Sequence, residues 1–114
     1  MDFQQIVIVG NVGREPEPLR FESGASATKL SVGVKPPRGD ETLWFEVMCW
    51  DKLGQTALRA QRGERVLVVG TLAARSYLDK AGEPRFALSI NARDFRFLGR
   101  GSLGDQANVV DAPF

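Results

Sequence analysis

The chain has no histidine, a single cysteine at Cys49 and no apolar run longer than four residues, as at Val66–Val69. Histidine is the commonest general base and the commonest metal ligand, so its absence excludes Ser–His and Cys–His nucleophiles and nearly every zinc site. A lone thiol forms no intramolecular bridge, which fits a reducing compartment. Four apolar residues fall far short of the ~20 that span a bilayer. The start, Met1-Asp2-Phe3-Gln4-Gln5, lacks the basic and apolar regions of a secretory signal. These absences predict a cytoplasmic protein with no metal or cofactor and no enzymatic activity. No Gly-rich phosphate cradle or dinucleotide fingerprint is present, and the acidic residues are not clustered for metal ions.

What is present describes one small domain. The 114 residues are 43% hydrophobic and 25% charged, with 12 glycines and six prolines. The net charge is +1. Residues 1–100 carry 15 basic and 12 acidic side chains, while 101–114 add only Asp105 and Asp111. A weakly basic body permits nucleic-acid binding without arguing for it.

Short β-rich runs between turn residues predict an all-β fold. Ile6–Val9 is apolar on both faces and reads as a buried or interface-covered strand. Glycines 10, 13 and 63 read as turn glycines. Glu15-Pro16-Glu17-Pro18 reads as a loop, since proline lacks the amide a central strand needs, and a short strand follows near Leu19–Glu22. From Ala27 to Val34, Leu30, Val32 and Val34 alternate with Lys29, Ser31 and Gly33. In Thr42–Trp50, Leu43, Phe45, Val47 and Cys49 make an apolar face opposite Trp44, Glu46, Met48 and Trp50. A helix is predicted over Leu53–Gln61, stopped by Arg62-Gly63. Arg65–Leu72 is the next strand, and residues 74–98 form a hairpin turning at Asp79–Gly82. On its second arm the apolar parity switches from Phe86, Leu88, Ile90 and Ala92 to Phe95 and Phe97. That switch predicts a β-bulge near Arg93-Asp94.

Five strands with one short helix between the third and fourth match the element order of an OB-fold barrel, a scaffold that binds oligonucleotides on an open face. An SH3-type barrel is the competitor, but it usually lacks a helix at this place. The domain is expected to span 1–100, with a short flexible tail at 101–114.

Trp44 and Trp50 lie six residues apart on one strand and project from one face, ~20 Å from each other. They either fill a core or subunit interface, or stack the bases of an extended single strand; the opposite face already supplies a core, which favours stacking. Arg75 and Tyr77 share a face leading to a hairpin tip carrying Lys80. A cation beside an aromatic is what a stacking site with a phosphate clamp needs. Lys52 has the parity of Trp50, and Lys35 and Arg38 flank the Pro36-Pro37 loop, completing a basic path past three aromatics.

In order and spacing these segments resemble the bacterial single-stranded DNA-binding protein family. Gly10-Asn11-Val12-Gly13-Arg14-Glu15-Pro16-Glu17 is similar to its opening loop, and Phe21-Glu22-Ser23-Gly24 to its next turn. Leu43–Leu53 resembles its tryptophan strand and helix start. Arg62–Leu72 resembles its basic-glycine strand entry, and Arg75–Gly82 its aromatic-tipped hairpin. The likeness covers residues 4–99, and the tail is similar to a shortened form of the family's acidic terminus ending Pro-Phe.

The resemblance implies a homotetramer, or another homo-oligomer, that coats and protects single-stranded DNA without sequence preference during replication, recombination and repair. It implies base stacking on Trp44, Trp50 and Tyr77, with Lys52, Arg62 and Arg75 along the DNA path. Asp111, Ala112, Pro113 and Phe114 match a tip that recruits replication and repair proteins. The loop at 35–41 and the linker are short, the tip has one acid, and Tyr77 stands where tryptophan is common. A short cyanobacterial- or plastid-like paralogue in the cytoplasm or nucleoid fits these features. The alternatives are an OB-fold interaction subunit with vestigial nucleic-acid binding, and an RNA-binding module.

Overall fold

The computed structural model describes residues 1–39 and 41–99. The tail and its tip, Asp111 to Phe114, lie outside the described residues. Six strands and one helix follow in the order β1 (Ile6–Val12), β2 (Glu17–Arg20), β3 (Ser26–Val34), β4 (Leu43–Trp50), α1 (Asp51–Ala57), β5 (Arg65–Leu78) and β6 (Pro84–Gly99). The sheet runs β1-β5-β6-β4-β3-β2, and an additional β1–β3 pairing closes five of the strands into a ring. β4 and β6 are parallel neighbours, whereas the other pairs are antiparallel. This is an OB-fold, with the helix between the third and fourth strands of the ring.

Period-two alternation explains the wall. Leu30 and Val32 of β3, Phe45, Val47 and Cys49 of β4, and Val66 and Val68 of β5 point inward and are buried. Ile8, Val12, Ile90 and Phe95 complete the barrel interior, and Ala57 and Ala60 pack against it. The expected bulge is present: Val69 pairs with Asp94 and Gly70 with Ala92, so Arg93 is the extra residue. The bend returns Phe95 to the core after Ile90, which accounts for the parity switch.

Ring closure depends on backbone proximity. At Gly10 a Cβ would stand 2.3 Å from the carbonyl oxygen of Gly33, so no side chain fits between β1 and β3 there. Gly10 is therefore a crossing glycine inside β1, not a turn residue. Of the three glycines read as turns, Gly63 alone has a left-handed φ, at 89°.

Three local expectations are corrected. Pro18 lies within a strand, which is tolerated because β2 pairs only with β3 and forms the sheet edge. The helix starts and ends earlier than its apolar spacing suggests. Asp51, at φ 52°, turns the chain directly out of β4, and beyond Ala57 the hydrogen bonds span three residues instead of four, with Arg59 N–H donating to Thr56 and Ala60 N–H to Ala57. Leu43 has core parity but is exposed, because it lies at the mouth of the barrel beyond the last packed layer.

Cys49 is fully buried, and desolvation pushes its thiol up to about 12. The unfolded thiol ionises near ~8.5, so stability from this group is complete below that pH and is lost as pH rises towards the folded value. Urea midpoints should therefore fall between about pH 9 and 11, and less so in Cys49→Ala. Ellman's reagent should label Cys49 only after denaturation; fast labelling of native protein at pH 8 would contradict this.

Candidate nucleic-acid interface

The outward face of β4 carries Trp44, Glu46, Met48 and Trp50, and both indoles are seated. Trp44 lies against glycine backbone on β1's exit and on β3: a Cβ at Gly13 would fall 2.4 Å from its ring, and one at Gly33 2.8 Å. Gly13 thus serves the indole and not a turn. Trp44 remains 54% exposed. Trp50 is stacked by Phe21, with centroids 5.4 Å apart and planes at 28°. Its Nε1–H donates to Asn91 Oδ1 at 3.0 Å, leaving the residue 38% exposed. A ring with fixed orientation and an open part of its surface loses little freedom when a base stacks on it.

Trp44 lines two grooves. The first, about 290 Å³, is bounded by Arg14, Glu17, Lys29, Trp44, Tyr77 and Phe86 among others. The second, about 380 Å³, lies against Asn11, Gly33, Lys35, Thr42 and Arg65. In the first groove Lys29 Nζ sits 3.9 Å from Glu17 and 3.7 Å from Glu46. These are half-exposed pairs worth ~0–1 kcal/mol each, yet they offset the charge of Lys29, which pairs with Met48 between the tryptophans.

Tyr77 is 43% exposed, and the Arg75 guanidinium stands 5.8 Å from its ring centroid, a cation–π contact of ~0.5–1 kcal/mol. The hairpin tip beyond it is ordered by Asp79. One carboxylate oxygen accepts from the Ala81 and Glu83 amides at 2.9 Å, and the other from Arg85 Nε at 3.0 Å. The Glu83 amide first, then Arg85, hold this carboxyl below its ordinary range.

Of the residues singled out from sequence, Trp44 and Tyr77 meet in the first groove, with Arg75 behind the tyrosine. Lys35 reaches the second groove. Trp50 stands farther along β4, and Lys52 follows it in the first turn of α1. Arg38, Arg62 and Lys80 are exposed but line neither groove. Sequence reasoning missed Phe21, Arg14, Arg65 and Asn91 as neighbours of the aromatics. Phe86 shares its apolar parity with Leu88, Ile90 and Ala92, yet it is 73% exposed. The outer half of the β5–β6 hairpin leaves the barrel, so both of its faces are wet. A cation directly after the Gly10–Gly13 segment, and an aromatic opposite Ser76 across the hairpin, were the available signals.

The match to known proteins accords with this surface. Residues 3–98 match the model of the single-strand binding protein family. The chain belongs to that family. It is 30% identical over 78 residues to a protein of Nostoc sp. named single-stranded DNA-binding protein 2, covering 67% of this chain and 61% of the relative. Single-stranded DNA-binding proteins of Thermus aquaticus and Chlamydia caviae are each 30% identical over 92 residues, covering 77% and 78% of this chain. The match spans 35% of the Thermus protein and 57% of the Chlamydia one. Among the described residues, no helix is long and apolar enough to cross a membrane, and no group of three His, Cys, Asp or Glu side chains could hold a metal ion.

Two variants test the seating of the indoles. In a Trp44→Phe background Trp50 is the sole tryptophan. Asn91→Leu there should lower its fluorescence anisotropy at a cost of only ~0.5–1.5 kcal/mol in stability; unchanged anisotropy would mean that the hydrogen bond does not hold the ring. Gly13→Ala should tip Trp44 off its seat, altering its emission in a Trp50→Phe background while Tm moves little. Emission identical to that of the glycine protein would show the ring is not in contact there.

Proposed function

We propose that this protein binds and protects single-stranded DNA without reading its sequence, as a stoichiometric binder and not an enzyme. The observation that carries this reading is the outward row on β4, where Trp44 and Trp50 are each seated by neighbours and open to solvent. Every base offers a π-face, so stacking tolerates any sequence, at ~1–3 kcal/mol per base. A duplex hides those faces, which gives preference for unpaired strands. Trp44, Trp50 and Tyr77 serve as platforms, and Lys35, Arg38, Lys52, Arg62, Arg75 and Lys80 as phosphate contacts. Replication, recombination and repair are the processes that expose such strands.

Assembly into a homo-oligomer, with a tetramer as the family's form, belongs to the same proposal. Val7 pairs with Val69 and Val9 with Leu67 on the outer face of β1 and β5, so apolar side chains adjoin on a solvent-facing sheet. β1 pairs in register with β3 at Asn11 and Val12, which among the described residues leaves the backbone of Ile6–Val9 without a strand partner on that side. Several subunits would let one strand make many weak contacts. The neutralisation of Lys29 by Glu17 and Glu46 supports a second reading, a paralogue whose nucleic-acid binding is weak.

Titration with oligo-dT, followed by tryptophan quenching at two salt concentrations, separates the two readings. Strong quenching that weakens with salt is expected. The Trp44→Ala/Trp50→Ala double variant should lose at least ~30-fold in affinity. Absence of binding at low salt would overturn the proposal in favour of the interaction subunit.

A further inference from the structure

We infer that the groove bounded by Lys35 and Arg65 is a phosphate seat. A nucleotide stacked on Trp44 then turns its base towards the Tyr77 groove and its phosphate into the Arg65 groove. This deepens the single-strand reading above and rests on it. Trp44 lines both grooves, so one nucleotide on its ring reaches both.

The two grooves differ in charge. The first is bordered by Arg14 and Lys29 against Glu15, Glu17 and Glu46, and its lysine is already paired with two of those carboxylates. A polyanionic backbone is repelled there, while uncharged base faces are suited to Trp44, Tyr77 and Phe86. The second groove holds Lys35 and Arg65 and no acidic side chain. Among the described residues, neither forms an ion pair with a carboxylate.

Arg65 is also held in place by neutral partners. Its Nη1 donates to Asn11 Oδ1 at 3.0 Å, and Asn11 Nδ2 donates to the Gly63 carbonyl at 3.0 Å. The guanidinium is therefore oriented without losing its charge, and its remaining N–H groups match two phosphate oxygens in a fixed plane. Thr42 and Asn11 add neutral polar atoms to the same groove. Groups that orient a cation without neutralising it suit an anionic ligand.

Salt dependence separates this site from stacking. Each phosphate contact on a single strand contributes roughly 0.7 to the slope of log K against log salt. With oligo-dT as the probe, Arg65→Gln and Lys35→Gln should each lower the slope by about 0.7 and weaken binding several-fold at low salt. Arg65→Lys should keep the slope, and Trp44→Ala should weaken binding with the slope unchanged. Arg59→Gln is the control, because Arg59 lies 5.9 Å over the Phe97 ring, outside both grooves. Binding by the glutamine variants with an undiminished slope overturns the phosphate seat while leaving single-strand binding intact. A change of oligomeric mass with the slope retained overturns it in favour of a protein contact. If the unsubstituted protein fails to bind, the single-strand reading falls and this inference with it.

Discussion

The contact of β1 with β3, where the backbone of Gly10 meets that of Gly33, is the constraint on which the barrel depends. Without it the sheet is an open ribbon with two unpaired edges and a core exposed at the seam. With it, Ile8 and Val12 of β1 pack beside Leu30 and Val32 of β3 in one interior. Neither glycine uses a left-handed φ here; what matters is that two strands cross with no atoms between them. The same absence of a Cβ at Gly33, together with that at Gly13, makes room for the Trp44 ring. Closure of the fold and seating of the aromatic platform thus come from one local property of the backbone.

The two tryptophans are fixed by different means, and the difference follows from their places along β4. Trp44 lies near the closure point, where glycine backbone provides a flat surface. Trp50 lies at the opposite end of the strand, beside the β2–β3 turn and the middle of β6, where side chains hold it. Phe21 reaches it from a turn closed by the Gly24 amide donating to the Phe21 carbonyl at 2.9 Å. Asn91 sits where β6 pairs with both β4 and β5, so its amide is carried on a residue with a strand neighbour on each side. Rigid seating raises the affinity of a stacking site without adding contact area.

Much of the barrel was legible in the sequence because period two is a property of the strand itself. The inward and outward faces of β3 and β4 follow from alternation, and the bulge at Arg93 follows from one interruption of it. Features that depend on distant chain segments were not legible. Parity puts Phe86 on one face with Leu88 and Ile90, but only the barrel's height decides that the hairpin has left the core by that point. Pro18 was read as a barrier to strand formation because an edge position is visible only once the neighbours are known. The helix is shifted because Asp51 adopts a left-handed conformation and beyond Ala57 the chain curls on with hydrogen bonds that span three residues. At the interface, the aromatic row was readable from one strand. The pairing of Lys35 with Arg65 across a groove was not, since those residues are 30 apart and meet only through ring closure.

A net charge of +1 describes the chain poorly as a partner for a polyanion, because what a strand meets is the local arrangement. Lys29 is the lysine most central to the aromatic row, and it is the one whose charge is countered by Glu17 and Glu46. Arg65 lies at the margin, held by a neutral asparagine, and keeps its charge. Salt bridges at half-exposed positions add little to stability, so the first arrangement is better understood by its effect on the surface. It clears positive charge from the ground between the tryptophans and leaves it along the sides. In the proposed binding mode, uncharged bases and charged phosphates go to different parts of one small surface. A nearly neutral domain can in this way orient a single strand, where a uniformly basic one would only attract it.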